Sequence, residues 1–209
     1  MNLLKFHNKI KGYTQNRQPG IEADMEPKPI AELEEYKAAG KLENKVALIT
    51  GGDSGIGRAV AILYAKEGAN VAIGYYDEHQ DAEDTVNRLQ EMGVKAKAYA
   101  HDLKDEKQSQ KLIKDVINDF GSLNILVNNG GVQFPRDHFE DITPQQVKET
   151  FMTNIFGMMF LSQAAVPYLS EGDTIINTTS VTAYRGSGHL IDYSATKGAI
   201  VSFTRSLAT

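Results

Sequence analysis

The sequence predicts an α/β protein of the Rossmann type: a doubly wound parallel sheet with helices on both faces. Three observations predict it. From Lys45 onward, short apolar runs alternate with amphipathic helical patterns. The first apolar run, Val46–Thr50, passes straight into Gly51-Gly-Asp-Ser-Gly-Ile-Gly57, and a helix comes at once after it. The strand-then-helix alternation then repeats along the rest of the chain without a break into hairpins.

Residues 1–44 stand apart as an N-terminal extension, and 45–209 form the expected dinucleotide-binding catalytic domain. The extension holds three of the six prolines, Pro19, Pro27 and Pro29, and is rich in Gln, Asn, Lys and Glu. Its hydrophobic periodicity is poor apart from a short helix around Ala31–Ala39. It reads as a mobile or surface-hugging arm, with docking on a neighbouring subunit as the sharper reading. In the domain, Val46–Thr50 is the first strand and Ile56–Glu67 the first helix, with Val60, Ile62, Leu63 and Ala65 as its apolar surface. Asn70–Tyr75 is the second strand and Asp81–Met92 the second helix, stopped by Gly93. Lys95–Ala100 is a weaker third strand, and Asp105–Phe120 a helix ended by Gly121. Asn124–Asn128 is a buried fourth strand. Thr143 and Pro144 supply a cap and a first-turn proline for a long helix to about Leu169. Thr174–Thr178 is the fifth strand, and a last helix carries Tyr193 and Lys197 as far as Thr209.

Composition narrows the function. The hydrophobic fraction of 41% supports a real core. A net charge of −5 gives no basic surplus for a nucleic-acid partner. The absence of cysteine excludes disulfides, thiolate catalysis and Cys-type zinc sites. Met1–His7 lacks the apolar run of a signal peptide. No stretch reaches the ~20 apolar residues that span a bilayer, so no membrane partner is expected and the default location is the cytoplasm. His7, His79, His101, His138 and His189 lack metal-ligand spacing and read as surface or loop residues, so no metal site is expected. Of these, His189 stands nearest to Tyr193 and borders a candidate substrate pocket.

Two motifs carry chemistry. In the glycine loop, Gly51 allows a sharp turn, Gly55 lets the backbone approach a pyrophosphate, and Gly57 lets the helix pack closely. The exposed N–H groups and the helix dipole favour an anion there. The second motif is Tyr193-Ser-Ala-Thr-Lys197, with Ser180 thirteen positions upstream of the tyrosine. Four-residue spacing puts the phenol and the ammonium on one helix face. A cation beside a phenol favours its ionised form, which suits general acid/base work. Ser180 is then available to hydrogen-bond a substrate oxygen.

In these motifs the chain resembles the short-chain dehydrogenase/reductase family. The matching features are Thr50-Gly-x-x-x-Gly-x-Gly57, Asp102 after the third strand, Asn128-Asn-Gly-Gly131 after the fourth, Asn154, Ser180 and Tyr193-x-x-x-Lys197. Pro19-Gly20-Ile21-Glu22 and the loop ending in Arg58 resemble a bacterial general-stress or glucose/ribitol dehydrogenase-like subgroup. The resemblance implies an NAD(P)-dependent oxidoreductase that interconverts an alcohol and a carbonyl by hydride transfer. It implies that Tyr193 is the catalytic acid or base and that Lys197 binds the nicotinamide ribose. Ser180 would polarise the carbonyl, and Asn154 would hold a water in a proton relay. It implies cofactor contacts from Gly51, Asp53, Ser54, Gly55, Ile56, Gly57, Tyr75, Asp102, Leu103, Asn129, Gly130, Tyr193 and Lys197. A homotetramer is the implied assembly.

At the end of the second strand, Tyr75-Tyr76-Asp77-Glu78 gives neither a complete NAD nor a complete NADP signature. Repulsion of a 2′-phosphate by Asp53 and Asp77 favours NAD, with NADP as the alternative. Relatives in this family usually continue through two more strands, a Pro-Gly segment and a substrate loop. The sheet is therefore expected to lack those C-terminal strands, and a literal 209-residue chain to be poorly stable and weakly active. Two rival readings are a catalytically silent nucleotide-binding sensor or structural protein on the same fold, and a nucleotide-sugar or methyl-transfer enzyme.

Overall fold

A computed structural model describes residues 15, 17, 18, 20–33 and 35–209. Five parallel strands form one sheet in the order β3-β2-β1-β4-β5. They are β1 (Val46–Thr50), β2 (Asn70–Tyr75), β3 (Ala96–Ala100), β4 (Ile125–Asn128) and β5 (Thr174–Asn177). Strand order reverses at β1, which pairs with β2 on one side and β4 on the other. That reversal opens a crevice at the carboxyl ends of β1 and β4, the usual ligand site of such sheets.

β1 is buried along its whole length because both faces are covered. Ala47 and Ile49 pack with Ala61, Ile62 and Ala65 of α1 (Gly55–Lys66) and Leu89 of α2 (His79–Glu91). Val46 and Leu48 point the other way, towards Leu112, Ile113 and Val116 of α3 (Glu106–Phe120) and Leu161 and Ala165 of α5 (Gly157–Ala165). The period-2 side-chain alternation of a strand thus feeds two separate apolar layers. α3 starts at Asp105, whose carboxylate accepts from the Lys107 and Gln108 N–H groups, and ends at Gly121 in the left-handed region (φ +84°).

The remaining helices build the chemical end of the fold. α4 (Pro144–Phe151) is capped by Thr143, and α5 continues into a 3-10 turn at Val166–Tyr168. Between α4 and α5 lies a π-helical turn, Met152–Phe156, so the single helix expected from Pro144 to about Leu169 is interrupted at Asn154. The extra residue in that turn rotates the helix beyond it and so aims Asn154 inwards, as such bulges do at functional positions. α6 (Thr182–Arg185) and α7 (Ile191–Ala208) come after β5.

The described part of residues 15–44 hugs the domain. Glu32 accepts from Lys66 at 2.8 Å and from Arg88 at 3.0 Å. Glu67 accepts from the Tyr36 hydroxyl and from the Ala39 and Lys41 N–H groups at 3.1 and 2.9 Å. Those donors hold the Glu67 carboxyl down at about 2, the Tyr36 hydroxyl contributing most, and Arg88 and Lys66 hold Glu32 at about 2. The helix expected around Ala31–Ala39 does not form: among the described residues there is only a turn closed by Tyr36 N–H on the Leu33 carbonyl. The competing partners win, because the backbone N–H of Ala39 is spent on Glu67. His7 and Pro19 lie outside the described residues. No helix among the described residues is long and apolar enough to cross a membrane.

Candidate active site

The site has two parts joined by Gly131. The first is a groove of about 380 Å³ over the crevice between β1 and β4. Its wall includes Gly51, Asp53, Ser54, Tyr75, Asp102, Leu103, Asn129 and Gly130, as the sequence predicts, together with Tyr76, His101, Lys104, Gly131, Val132 and Phe134. Gly51 adopts φ +62° and donates its N–H to the Gly74 carbonyl at 2.8 Å, which turns the chain out of β1. Gly55 has φ +53° and open space where a Cβ would stand. Gly57 is needed for a closer contact than helix-on-sheet packing: a Cβ there would lie 1.9 Å from the Gly51 carbonyl oxygen. Gly55, Ile56 and Gly57 stand off the groove wall, and the Ile56 side chain is exposed.

Thr50 knits β1 to the β4 end. Its hydroxyl accepts from the Asn129 and Gly130 N–H groups at 3.0 and 2.9 Å, while Asn129 Nδ2 donates to the Thr50 carbonyl at 3.1 Å. Gly130 is small where Leu103 approaches, with a Cβ position 2.9 Å from Leu103 Cδ1. Asn128 reaches from β4 to Asn177 of β5 at 2.8 Å. Asp102 accepts from the Lys104 N–H at 2.9 Å, so it shapes its own loop as well as the groove wall. Asp53 is buried, and burial raises its carboxyl above the usual range although Ser54 donates to it. His101 corrects the surface reading of the histidines. It is 6% exposed, packs where Gly74 leaves room, and is pushed down to about 4 by burial.

The second part surrounds the β5–α7 end. Lys197 is 4% exposed, donates to the Thr178 carbonyl at 2.8 Å, and places Nζ 5.4 Å from the centre of the Tyr193 ring. Burial pulls its ammonium down to about 8. Asn154 accepts from the Val132 N–H at 2.8 Å and donates to the Val132 carbonyl at 2.9 Å. Gly131 lets these pieces close up, since a Cβ there would lie 3.0 Å from Asn154 Oδ1 and 3.8 Å from Lys197 Nζ. Ser180 Oγ accepts from the Thr182 N–H and hydroxyl at 3.2 and 3.1 Å, which leaves its own proton to give. His189 is exposed and faces Asp137 at 3.6 Å rather than the groove.

Two sets of residues at this site were given no site role by the sequence. Asp192 is buried beside Tyr193. It accepts from the Tyr193 N–H at 2.9 Å, from Thr150 Oγ1 at 2.8 Å and from Gln146 Nε2 at 3.1 Å, tying the start of α7 to α4. The sequence signal was the pair of polar residues four apart, Gln146 and Thr150, on a buried helix face. The other set is Glu22 of the arm. Its carboxylate accepts from the Gly55 N–H at 2.5 Å and from Arg58 at 3.2 Å. α1 receives no cap bond from its own Ser54, so Glu22 supplies the anion at that helix end from outside the domain.

Comparison with known proteins gives the family. A family model described as short chain dehydrogenase matches residues 45–209. General stress protein 39 of Bacillus subtilis (strain 168) is 50% identical over 206 residues, covering 99% of this chain and 72% of the relative. The glucose and ribitol dehydrogenase of Daucus carota is 45% identical over 202 residues, covering 93% of this chain and 69% of the relative. A crystal structure of a short chain dehydrogenase from Burkholderia cenocepacia J2315 in complex with NADP superposes with a TM-score of 0.78. It is 35% identical and covers 80% of this chain and 69% of that one.

Proposed function

Because the chain belongs to the short-chain dehydrogenase/reductase family and is an NAD(P)-dependent oxidoreductase of the Rossmann type, we propose that it interconverts an alcohol and a carbonyl with Tyr193 as proton donor or acceptor. The observation that carries the reading is the Tyr193–Lys197 pair on one face of α7, with the buried ammonium 5.4 Å from the ring centre and next to Gly131 of the groove wall.

The groove's lining suits a dinucleotide: Gly51 and Gly130 keep its floor free of Cβ atoms that would crowd Asn129 and Leu103. Gly51, Asp53 and Ser54 would hold the phosphates and ribose, Tyr75, Asp102 and Leu103 the adenosine, and Asn129, Gly130, Tyr193 and Lys197 the nicotinamide half; Gly55, Ile56 and Gly57 would reach the phosphates only if Glu22 released the Gly55 N–H. The bound nicotinamide supplies or accepts the hydride. Ser180 keeps its proton and donates a hydrogen bond from its hydroxyl to the substrate oxygen, which orients the carbon for transfer. Tyr193 gives that oxygen a proton in reduction and takes it back in oxidation. Lys197 holds its ammonium 5.4 Å from the phenol ring centre, and an ammonium held at about 8 by burial exchanges protons near neutral pH. Asn154, fixed on Val132 at the π-helical turn, lines the route from Lys197 outward as the site of a relay water.

The negative carboxylate of Asp53 on the groove wall supports NAD as the cofactor, with NADP as the alternative. The sugar and polyol activity in the name of the carrot relative supports a small polyol, aldose or aldehyde as substrate. Exposed Phe156, at the end of the π-helical turn, and Met159 of α5 support subunit contact along this face and a homotetramer. A cytoplasmic setting fits the lack of cysteine, and the described part of residues 15–44 acts as an arm on the 45–209 domain. Incubation of the protein with reduced cofactors and a panel of aldoses and aldehydes tests the reaction: reduced-nicotinamide absorbance falls in step with alcohol formed. Binding of dinucleotide without oxidation on any carbonyl would favour a silent sensor instead.

A further inference from the structure

The arm reaches the corner of the groove where folds of this type read the adenosine ribose, just past the second strand. Gln18 is part of the groove wall with Tyr75, Tyr76 and Asp53. One residue earlier, Arg17 places Nη2 3.1 Å from both carboxylate oxygens of Asp77 and against the Glu78 carboxylate. Glu78 is 9% exposed, so this pair is screened less than a surface pair. Asp77 and Glu78 come directly after Tyr76 of the groove wall, and the guanidinium that pairs with them comes from outside the α/β domain, one residue from Gln18 of that wall. A ribose hydroxyl carries no charge and meets that balance only as a hydrogen-bond donor to a carboxylate. A ribose phosphate, with a charge of about −2, meets it as a charge.

We propose that Arg17 is a specificity residue of the nucleotide site: by offsetting Asp77 and Glu78 it lets the groove accept a 2′-phosphate, and so sets the ratio of NADP(H) to NAD(H) binding. The inference rests on the dinucleotide-binding reading above. It gives the arm a binding role, and it means that the acids after β2, read alone, overstate the bias towards NAD.

Fluorescence titration of the full chain with NADPH and with NADH tests it. In Arg17→Gln, NADPH binding weakens roughly 5- to 10-fold while NADH changes less than about 2-fold, and added salt narrows the gap. Asp77→Asn moves the ratio the other way, tightening NADPH by roughly 2- to 5-fold. Equal losses for both nucleotides in Arg17→Gln would overturn the proposal, because the arm would then be only a wall. If circular dichroism shows Arg17→Gln unfolded, Asp77→Asn decides, and an unmoved ratio there overturns it. A parent chain that binds neither nucleotide would sink the dinucleotide reading itself, and this inference with it. A parent that binds both, with ratios that no variant moves, would sink this inference alone.

Discussion

The β1–α1–β2 region and the β4–β5–α7 region face the same crevice but are built by different forces. In the first, β1 is buried throughout, and the glycine loop is held by backbone contacts: Gly51 on Gly74, and Gly57 under the Gly51 carbonyl. In the second, β5 lies at the sheet edge with alternate residues exposed, Ile176 among them at 40%. There the candidate side chains are placed by polar networks: Asp192 with Gln146 and Thr150, Asn154 with Val132, Lys197 with Thr178. Apolar packing tolerates small repacking, whereas a buried hydrogen-bonded set loses the full desolvation cost of each orphaned partner. The nucleotide half should therefore fail by steric intrusion and the chemical half by loss of single polar atoms.

Gly57→Ala tests the first region hardest. With its Cβ 1.9 Å from a backbone oxygen, the loop must move, and we expect a cost of about 3 kcal/mol or more and loss of nucleotide binding. Gly130→Ala should cost under about 1.5 kcal/mol, because its added methyl meets the far end of Leu103. Urea unfolding and nucleotide titration of the two variants check the contrast; similar losses would erase it.

In the second region, Asp192→Ala takes one partner each from Thr150 and Gln146, which keep the Gln146 and Phe134 carbonyls. We expect a loss of about 1–3 kcal/mol and a fall in turnover, with nucleotide affinity little changed. Equal damage to nucleotide binding would mean that the two halves are not separately built.

Lys197 gives a pH signature. Its folded value of about 8 lies below its ordinary 10.5, so below pH 8 the folded state bears the cost of a buried charge. Between 8 and 10.5 the unfolded chain binds more protons, and stability rises with pH. Lys197→Met removes this dependence. Relative to that variant, the parent gains up to about 3 kcal/mol across the window, measured by denaturant unfolding at stepped pH. Parallel curves would show that the ammonium is not desolvated.

The smallest effect lies in the arm. Glu67 and Glu32 are held near 2, below their ordinary 4.5. Their contribution is therefore complete above about pH 4.5 and is lost as pH falls through about 2. Proteolysis within residues 20–44 should speed up over that acid window, and Glu67→Gln should show the faster rate already at neutral pH. Cleavage indifferent to both would mean that these carboxylates do not fasten the arm.

The same difference explains what was legible in the sequence. β1, β2 and the glycine loop show themselves through apolar runs and glycine spacing, because packing and backbone geometry leave a local pattern. Tyr193, Lys197 and Ser180 were legible as a spacing and through the family resemblance. The π-helical turn at Asn154 was not, since it arises from tertiary placement rather than from a breaker residue. Nor was the burial of His101, which depends on Gly74 on a neighbouring strand. The contacts of Glu22 with Gly55 and of Arg17 with Asp77 join residues 33 and 60 apart and leave no local trace.

Turnover and nucleotide affinity measured on one preparation of Tyr193→Phe beside the parent test the central claim most directly. The account predicts that removing this single oxygen lowers the rate of carbonyl reduction by roughly 100- to 10,000-fold, while the affinity for reduced nucleotide stays within about 2-fold of the parent. Reduction at the parental rate by Tyr193→Phe, with nucleotide equally bound, would contradict it.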